Sequence, residues 1–112
     1  NGYYRIMGRL SVDIIKSGGY KLSALEIEDT LLTHPAIREC AVVGVPDDTW
    51  GEVVAVAIVA HNGEQIELPA LKEWATERMS AYKIPKSLLL LKDLPRNAMG
   101  KVTKRAVQDL FE

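Results

Sequence analysis

Cysteine is almost absent: Cys40 stands alone in 112 residues. An internal disulfide framework and a cysteine-based zinc site are therefore both excluded. His34 and His61 are too isolated for a histidine-rich metal site, and no metal ligand is assigned. Long hydrophobic runs are missing too. The longest, residues 53–60, has eight residues, where a helix needs about 20 to span a bilayer. Charge of one sign is also lacking, with 14 Lys and Arg against 15 Asp and Glu and a net charge of −1. This argues against nonspecific nucleic-acid binding, which needs a strongly basic face. The N-terminus does not have the basic-then-apolar order of a signal peptide, and the closing Leu-Phe-Glu is not a peroxisomal tripeptide. A chain beginning at Asn1 reads as a fragment of something longer, for which a cytoplasmic or mitochondrial location is the expectation.

What is present suits one ordinary domain. Apolar residues make up 47% of the chain and charged residues 26%. A chain of this size buries roughly 65% of its unfolded surface. Residues 3–9 and 13–17 read as short strands. Gly18 and Gly19 read as a turn, since paired glycines take positive φ at low steric cost. They would close a tight hairpin with residues 20–22. Ser23 to Glu26 is an S-x-x-E capping box, which starts a helix whose stripe is Leu25, Ile27, Leu31 and Leu32. Pro35 ends that helix near Thr33. Residues 40–45 (CAVVGV) and 53–60 (VVAVAIVA) are strands, and the second is apolar enough to be covered on both faces. Asn62-Gly63 is a turn. Pro69 opens a helix to about Ser80, with Leu71, Trp74, Ala75, Arg78 and Met79 on one face. Residues 87–91 form a strand, 95–100 a loop, and Thr103 caps a last helix with Ala106, Val107 and Leu110 inward. The order predicts an α+β fold: a small sheet with about three packed helices.

Two lysine-bearing loops carry the chemistry. Lys101 follows Gly100 in a polar loop just before a helix start, with Lys104 and Arg105 nearby. That arrangement can meet a phosphate through amides and ammonium together; taken bare, it is also what a solvated lysine looks like. A Walker loop is excluded, because its G-x-x-x-x-G-K-S/T spacing is missing. Lys16, Gly18, Gly19 and Lys21 form the second loop. There the glycines allow close approach of a ligand to the backbone, while a plain hairpin with exposed lysines fits the spacing equally. It is not a dinucleotide fingerprint. Glu26 and Glu28, at i and i+2, do not share a helix face and read as capping and solvation. Asp47 and Asp48 serve a turn. Cys40 reads as core, Trp74 as core, and Trp50 as either an exposed contact or a core anchor. No Ser-His-Asp or Cys-His constellation is visible, so the residues alone describe a domain without a complete active site.

The string GRLSVDIIKSGGYKLSALEIE, residues 8–28, resembles the hinge region of adenylate-forming (AMP-binding) acyl-CoA synthetases. LPRNAMGKVTKR, residues 94–105, resembles their terminal lysine motif. Between them, HPAIRECAVVGVPDDTWGEVVAV is similar to the family's core in this region. Together these cover almost the whole chain in family order. Within the superfamily the pattern most resembles malonyl-CoA synthetases.

The resemblance implies the C-terminal subdomain of a two-domain ligase. Residues 1–13 would be a final strand and hinge region, and residues 14–112 a mobile C-terminal domain. The hinge would be Ser11, Val12 or Asp13. The implied partner is the protein's own N-terminal adenylation domain, which would hold most of the ATP and acid pocket, with Mg2+ expected there. The implied reaction converts a carboxylic acid and ATP to acyl-AMP and pyrophosphate, then acyl-AMP and CoA to acyl-CoA and AMP. By motif position Lys101 would be the adenylation lysine and Arg9 a nucleotide contact. Gly18, Gly19 and Tyr20 would line the CoA path, and Lys16 and Lys21 would support nucleotide or CoA phosphates. Two further readings stay open: an adenylation domain serving a carrier protein, and a noncatalytic α+β ligand or assembly module.

Overall fold

The computed structural model describes residues 14–61 and 64–111. The strand expected over residues 3–9, the hinge, Arg9 and the Asn62-Gly63 turn lie outside the described residues.

Strands β1 (Ile14–Ser17) and β2 (Tyr20–Ser23) form a hairpin around Gly18 and Gly19. Both glycines have positive φ, +56° and +87°, as a two-residue turn matching the twist of its strands requires. Helix α1 (Ala24–Leu31) follows at once, with the Ser23 hydroxyl accepting from the Glu26 amide. The other arm of the expected capping box is different, because Glu26 turns its carboxylate to Lys83. The buried face of α1 is Ala24, Ile27 and Leu31. Leu25 and Leu32, expected in the core stripe, are exposed instead. They lie seven residues apart, two turns, and so share the outward side.

Strands β3 (Ile37–Asp47) and β4 (Gly51–Ala60) form the long central hairpin. Asp47 closes its tip by accepting from the amides of Thr49 and Trp50. Helix α2 (Leu68–Thr76) starts with Pro69 in its first turn, and a 3-10 turn follows at Ala81–Lys83. Strand β5 (Ser87–Leu90) joins β4 in parallel, and helix α3 (Lys104–Asp109) closes the described chain.

Strand β4 pairs with β3 along one side, and with β1 and β5 along the other. The sheet is thus antiparallel except for β4–β5. The alternation of β3 and β4 sorts their side chains into two cores. Val42, Val54, Val56 and Ile58 face α1 and α2 with Ile27, Leu31 and Leu71. Ala41, Val43, Ala55, Ala57 and Val59 face Leu94 and Val107 of the α3 side. Coverage of both faces explains the unbroken apolar run of β4. Three alanines on the α3 side let that short helix lie close to the strands. Leu110, expected inward, is exposed, and Gln108 faces the sheet, donating to the Gly44 carbonyl.

Candidate functional site

The lysine motif is a closed hairpin. Arg96 and Val102 form a β-bridge. Within it the Asn97 amide donates to the Lys101 carbonyl at 2.9 Å, and the Gly100 amide donates to Asn97. The Asn97 carboxamide oxygen accepts from the amides of Met99, at 2.8 Å, and Lys101, at 3.1 Å. Gly100, at φ +82°, completes the reversal. Glycine takes that conformation at low steric cost, and here it closes a tight, hydrogen-bonded loop. Leu94 is buried and Val102 partly so against the α3-side core. Lys101 is exposed, and among the described residues its ammonium meets no partner. Its backbone is fixed while its charge is free.

Lys104 does not join that charge. Its ammonium turns inward to the Glu28 carboxylate and, at 3.0 Å, to the Val42 carbonyl. Glu28 also accepts from the Val42 amide at 2.7 Å. The expectation of a solvated Glu28 is therefore corrected: it is a half-buried acceptor. Arg105 stays exposed.

The glycine turn has different surroundings. The Gly18 amide donates to the Trp50 carbonyl at 2.9 Å. A Cβ at Gly18 would fall 2.9 Å from Trp50 Cε3, whereas one at Gly19 would meet nothing within 4 Å. Trp50 is half exposed and carries Lys86 Nζ 5.5 Å from its ring centroid, within cation–π range. Tyr20 stacks on Tyr82, with centroids 4.3 Å apart and planes at 4°. Lys16 and Lys21 stand opposite each other in the β1–β2 register, both exposed. Like charges directly opposed on a hairpin repel, but solvent screens this exposed pair, and the Glu52 carboxylate accepts from the Lys16 amide at 2.8 Å. Sequence reasoning missed Tyr82 and Lys86; no spacing rule links them to a turn more than 60 residues earlier.

Other ionisable groups are structural. Burial pushes the Cys40 thiol up to about 12, and its Sγ faces the Glu28 carbonyl at 3.8 Å, so it is no nucleophile at neutral pH. Burial lowers His34, and the nearby Arg78 lowers it further. Its Nδ1 accepts from the Ala36 amide. Among the described residues no group of three or more His, Cys, Asp or Glu could hold a metal ion, and no helix is long and apolar enough to cross a membrane.

The two loops are anchored far apart along β4. The glycine turn lies where Ser17 pairs with Gly51, at the start of β4. The lysine hairpin is tied through Arg96 to Glu39, which pairs with Val59 near the other end. Eight residues of extended strand separate those positions, about 27 Å. One domain thus presents an unpartnered lysine on a hydrogen-bonded hairpin and, anchored at a distant position along β4, a glycine–aromatic ledge flanked by lysines.

The fold is that of a known C-terminal domain: the chain belongs to the AMP-binding enzyme C-terminal domain family, whose profile matches residues 26–101. It is 53% identical over 105 residues to the mitochondrial malonate-CoA ligase of Bos taurus, covering 94% of this chain and 18% of that protein. It is 47% identical over 122 residues to a malonate-CoA ligase of Arabidopsis thaliana, covering 100% of this chain and 20% of that protein. Among solved structures, ATP-bound MatB from Rhodopseudomonas palustris superimposes with a TM-score of 0.85 at 31% identity, over 90% of this chain and 20% of that one. The chain therefore spans about a fifth of the length of the relatives it matches.

Proposed function

We propose that this chain is the mobile C-terminal domain of an ATP-dependent acyl-CoA synthetase acting on malonate or a related short carboxylic acid. On this reading residues 1–13 hold the final strand and the hinge, and a large N-terminal domain holds the acid and the nucleotide. The observation that carries it is that the glycine turn and Glu39, the anchor of the lysine hairpin, sit at strand positions eight residues apart, about 27 Å along β4. Loops anchored so far apart serve one pocket in two orientations of the domain. Names of the relatives, malonate-CoA ligases, support both the acid and the thiol.

In the first orientation Lys101 reaches the nucleotide. A carboxylate oxygen attacks the α-phosphorus, an O–P bond forms, the bond to the β-phosphate oxygen breaks, and pyrophosphate leaves. Negative charge crowds on both partners during that attack. One ammonium held about 4 Å from the α-phosphate, at an effective dielectric near 20, is worth about 4 kcal/mol. A rigid hairpin suits this, because a preorganised charge needs no rearrangement at the moment of reaction. Arg9 contacts the nucleotide beside the hinge. Mg2+ would be held by the large domain.

In the second orientation the glycine turn faces CoA. The CoA sulfur attacks the acyl carbonyl, the thiol proton is lost, a C–S bond forms, and AMP leaves as the C–O bond breaks. Gly19 has open space above it for the pantetheine arm. Tyr20, Trp50 and Tyr82 offer exposed rings to the adenine end, and Lys16, Lys21 and Lys86 offer charge to its phosphates.

The relatives from animals are named as mitochondrial, which supports that location for the parent protein over the cytoplasm. The proposal as a whole is tested by pyrophosphate release from the full-length protein with ATP across a panel of carboxylic acids. Malonate-dependent release followed by CoA-dependent thioester formation is expected. Release with another acid only, or transfer to a carrier protein but not to CoA, would overturn the substrate assignment.

A further inference from the structure

We propose that Arg96 and Glu39 are positioning residues for Lys101: they lock the lysine hairpin to the sheet so that the whole domain, rather than a loose loop, aims the ammonium. This rests on the reading of Lys101 as the adenylation lysine. Arg96 stands at the root of the hairpin, and its guanidinium spreads over three acceptors. Nη2 donates to Glu39 Oε2 on β3 at 2.7 Å. Nη1 donates to the Gly100 carbonyl at 3.2 Å, and Nε to Asp93 Oδ1 at 3.4 Å.

The Gly100 carbonyl belongs to the peptide that leads into Lys101. One planar side chain therefore connects that peptide directly to β3. Without it the tip, residues 98–101, is held only through the hairpin's own bonds and is free to tilt about the buried Leu94 and the partly buried Val102. The pair is about one-third exposed on each side, and such surface pairs contribute little to folding. A geometric role is thus separable from a stabilising one. Lysine cannot replace the fork, since it has a single charged nitrogen and no fixed plane.

The test uses the full-length protein with ATP and malonate. Arg96→Met and Glu39→Ala should each slow single-turnover adenylation by about 10–100-fold, the range a misplacement near 1 Å produces. Their KM for ATP and their conversion of supplied malonyl-AMP to malonyl-CoA should stay within about twofold of wild type. Arg96→Lys should fall between wild type and Arg96→Met. The double variant Arg96→Met/Lys101→Ala should be no slower than Lys101→Ala, because a residue acting only through Lys101 has nothing left to position. Additive losses would overturn the inference. So would a raised KM for ATP with Glu39→Ala silent, which would make Arg96 a nucleotide contact. Equal loss of both half-reactions would make the pair merely structural and overturn it as well. If Lys101→Ala slows adenylation while both positioning variants match wild type, this inference fails and the reading of Lys101 stands. If Lys101→Ala is itself at the wild-type rate, both fall.

Discussion

Glu28 and Lys104, 76 residues apart in sequence, meet across the free edge of β3 and take the outward N–H and C=O of Val42 between them. Gln108 takes the next outward carbonyl, at Gly44. An open strand edge is a template for unwanted pairing; here side chains from α1 and α3 close it. The same clasp draws Lys104 away from the lysine hairpin and leaves Lys101 as the free charge there.

Lys104→Met should destabilise the domain by about 2 kcal/mol. It leaves Glu28 with 13% side-chain exposure and its ammonium partner gone, and hydrogen bonds to charged groups contribute about 1.5–3 kcal/mol. Thermal unfolding of the 112-residue chain checks this; a drop of roughly 10 °C is expected for a domain of this size. An unchanged midpoint would show that the clasp contributes nothing.

Gly18 and Gly19 should respond differently to alanine. Both have positive φ, which costs a side chain about 1–2 kcal/mol. Gly18→Ala must also displace the Trp50 ring, 2.9 Å from the new Cβ, whereas Gly19→Ala meets open space. Melting curves should rank Gly18→Ala as the less stable variant. In the full-length protein Gly19→Leu should slow thioester formation at least tenfold more than adenylation. Equal losses in the two steps would point to the fold instead of the CoA path.

Cys40 should resist alkylation in the folded chain. With its thiol pushed up to about 12 by burial, the thiolate is scarce at pH 8.5, and iodoacetamide should react at least a hundredfold faster after unfolding. The sign of the linked stability follows. The folded state holds the proton more tightly, so this contribution is complete below the ordinary thiol pKa, near 8.5, and declines as pH rises toward about 12. Rapid labelling of native protein would contradict the buried assignment.

Much of this was legible in the sequence because the signals were local. Gly18-Gly19 between two short apolar stretches meant a hairpin, Ser23 meant a helix start, and the apolar run of residues 53–60 meant a strand covered on both faces. What was missed depends on contacts distant in sequence. Leu25 and Leu32 fit a helical stripe, yet Ala24 took the inward position because α1 begins directly on β2. Glu28 looked solvated because its partners, Val42 and Lys104, come from β3 and α3. Residues 95–100 read only as a loop, and it is Asn97, whose carboxamide accepts from two amides of that loop, that closes them into a hairpin. The Lys101 and glycine-turn motifs were visible as strings, but the distance between their anchors along β4 follows only from strand register and the Arg96–Glu39 contact.

The central claim is that Lys101 acts in one half-reaction and swings away in the other. It is tested most directly by single-turnover measurement of both steps in the full-length protein carrying Lys101→Ala. Adenylation of malonate should fall by at least about 10²–10³-fold, the loss typical of one oxyanion-stabilising donor. Conversion of supplied malonyl-AMP to malonyl-CoA should remain within about twofold of wild type, since a charge swung out of the site does not stabilise that transition state. An adenylation rate equal to wild type, or a matched loss in both steps, would contradict the account.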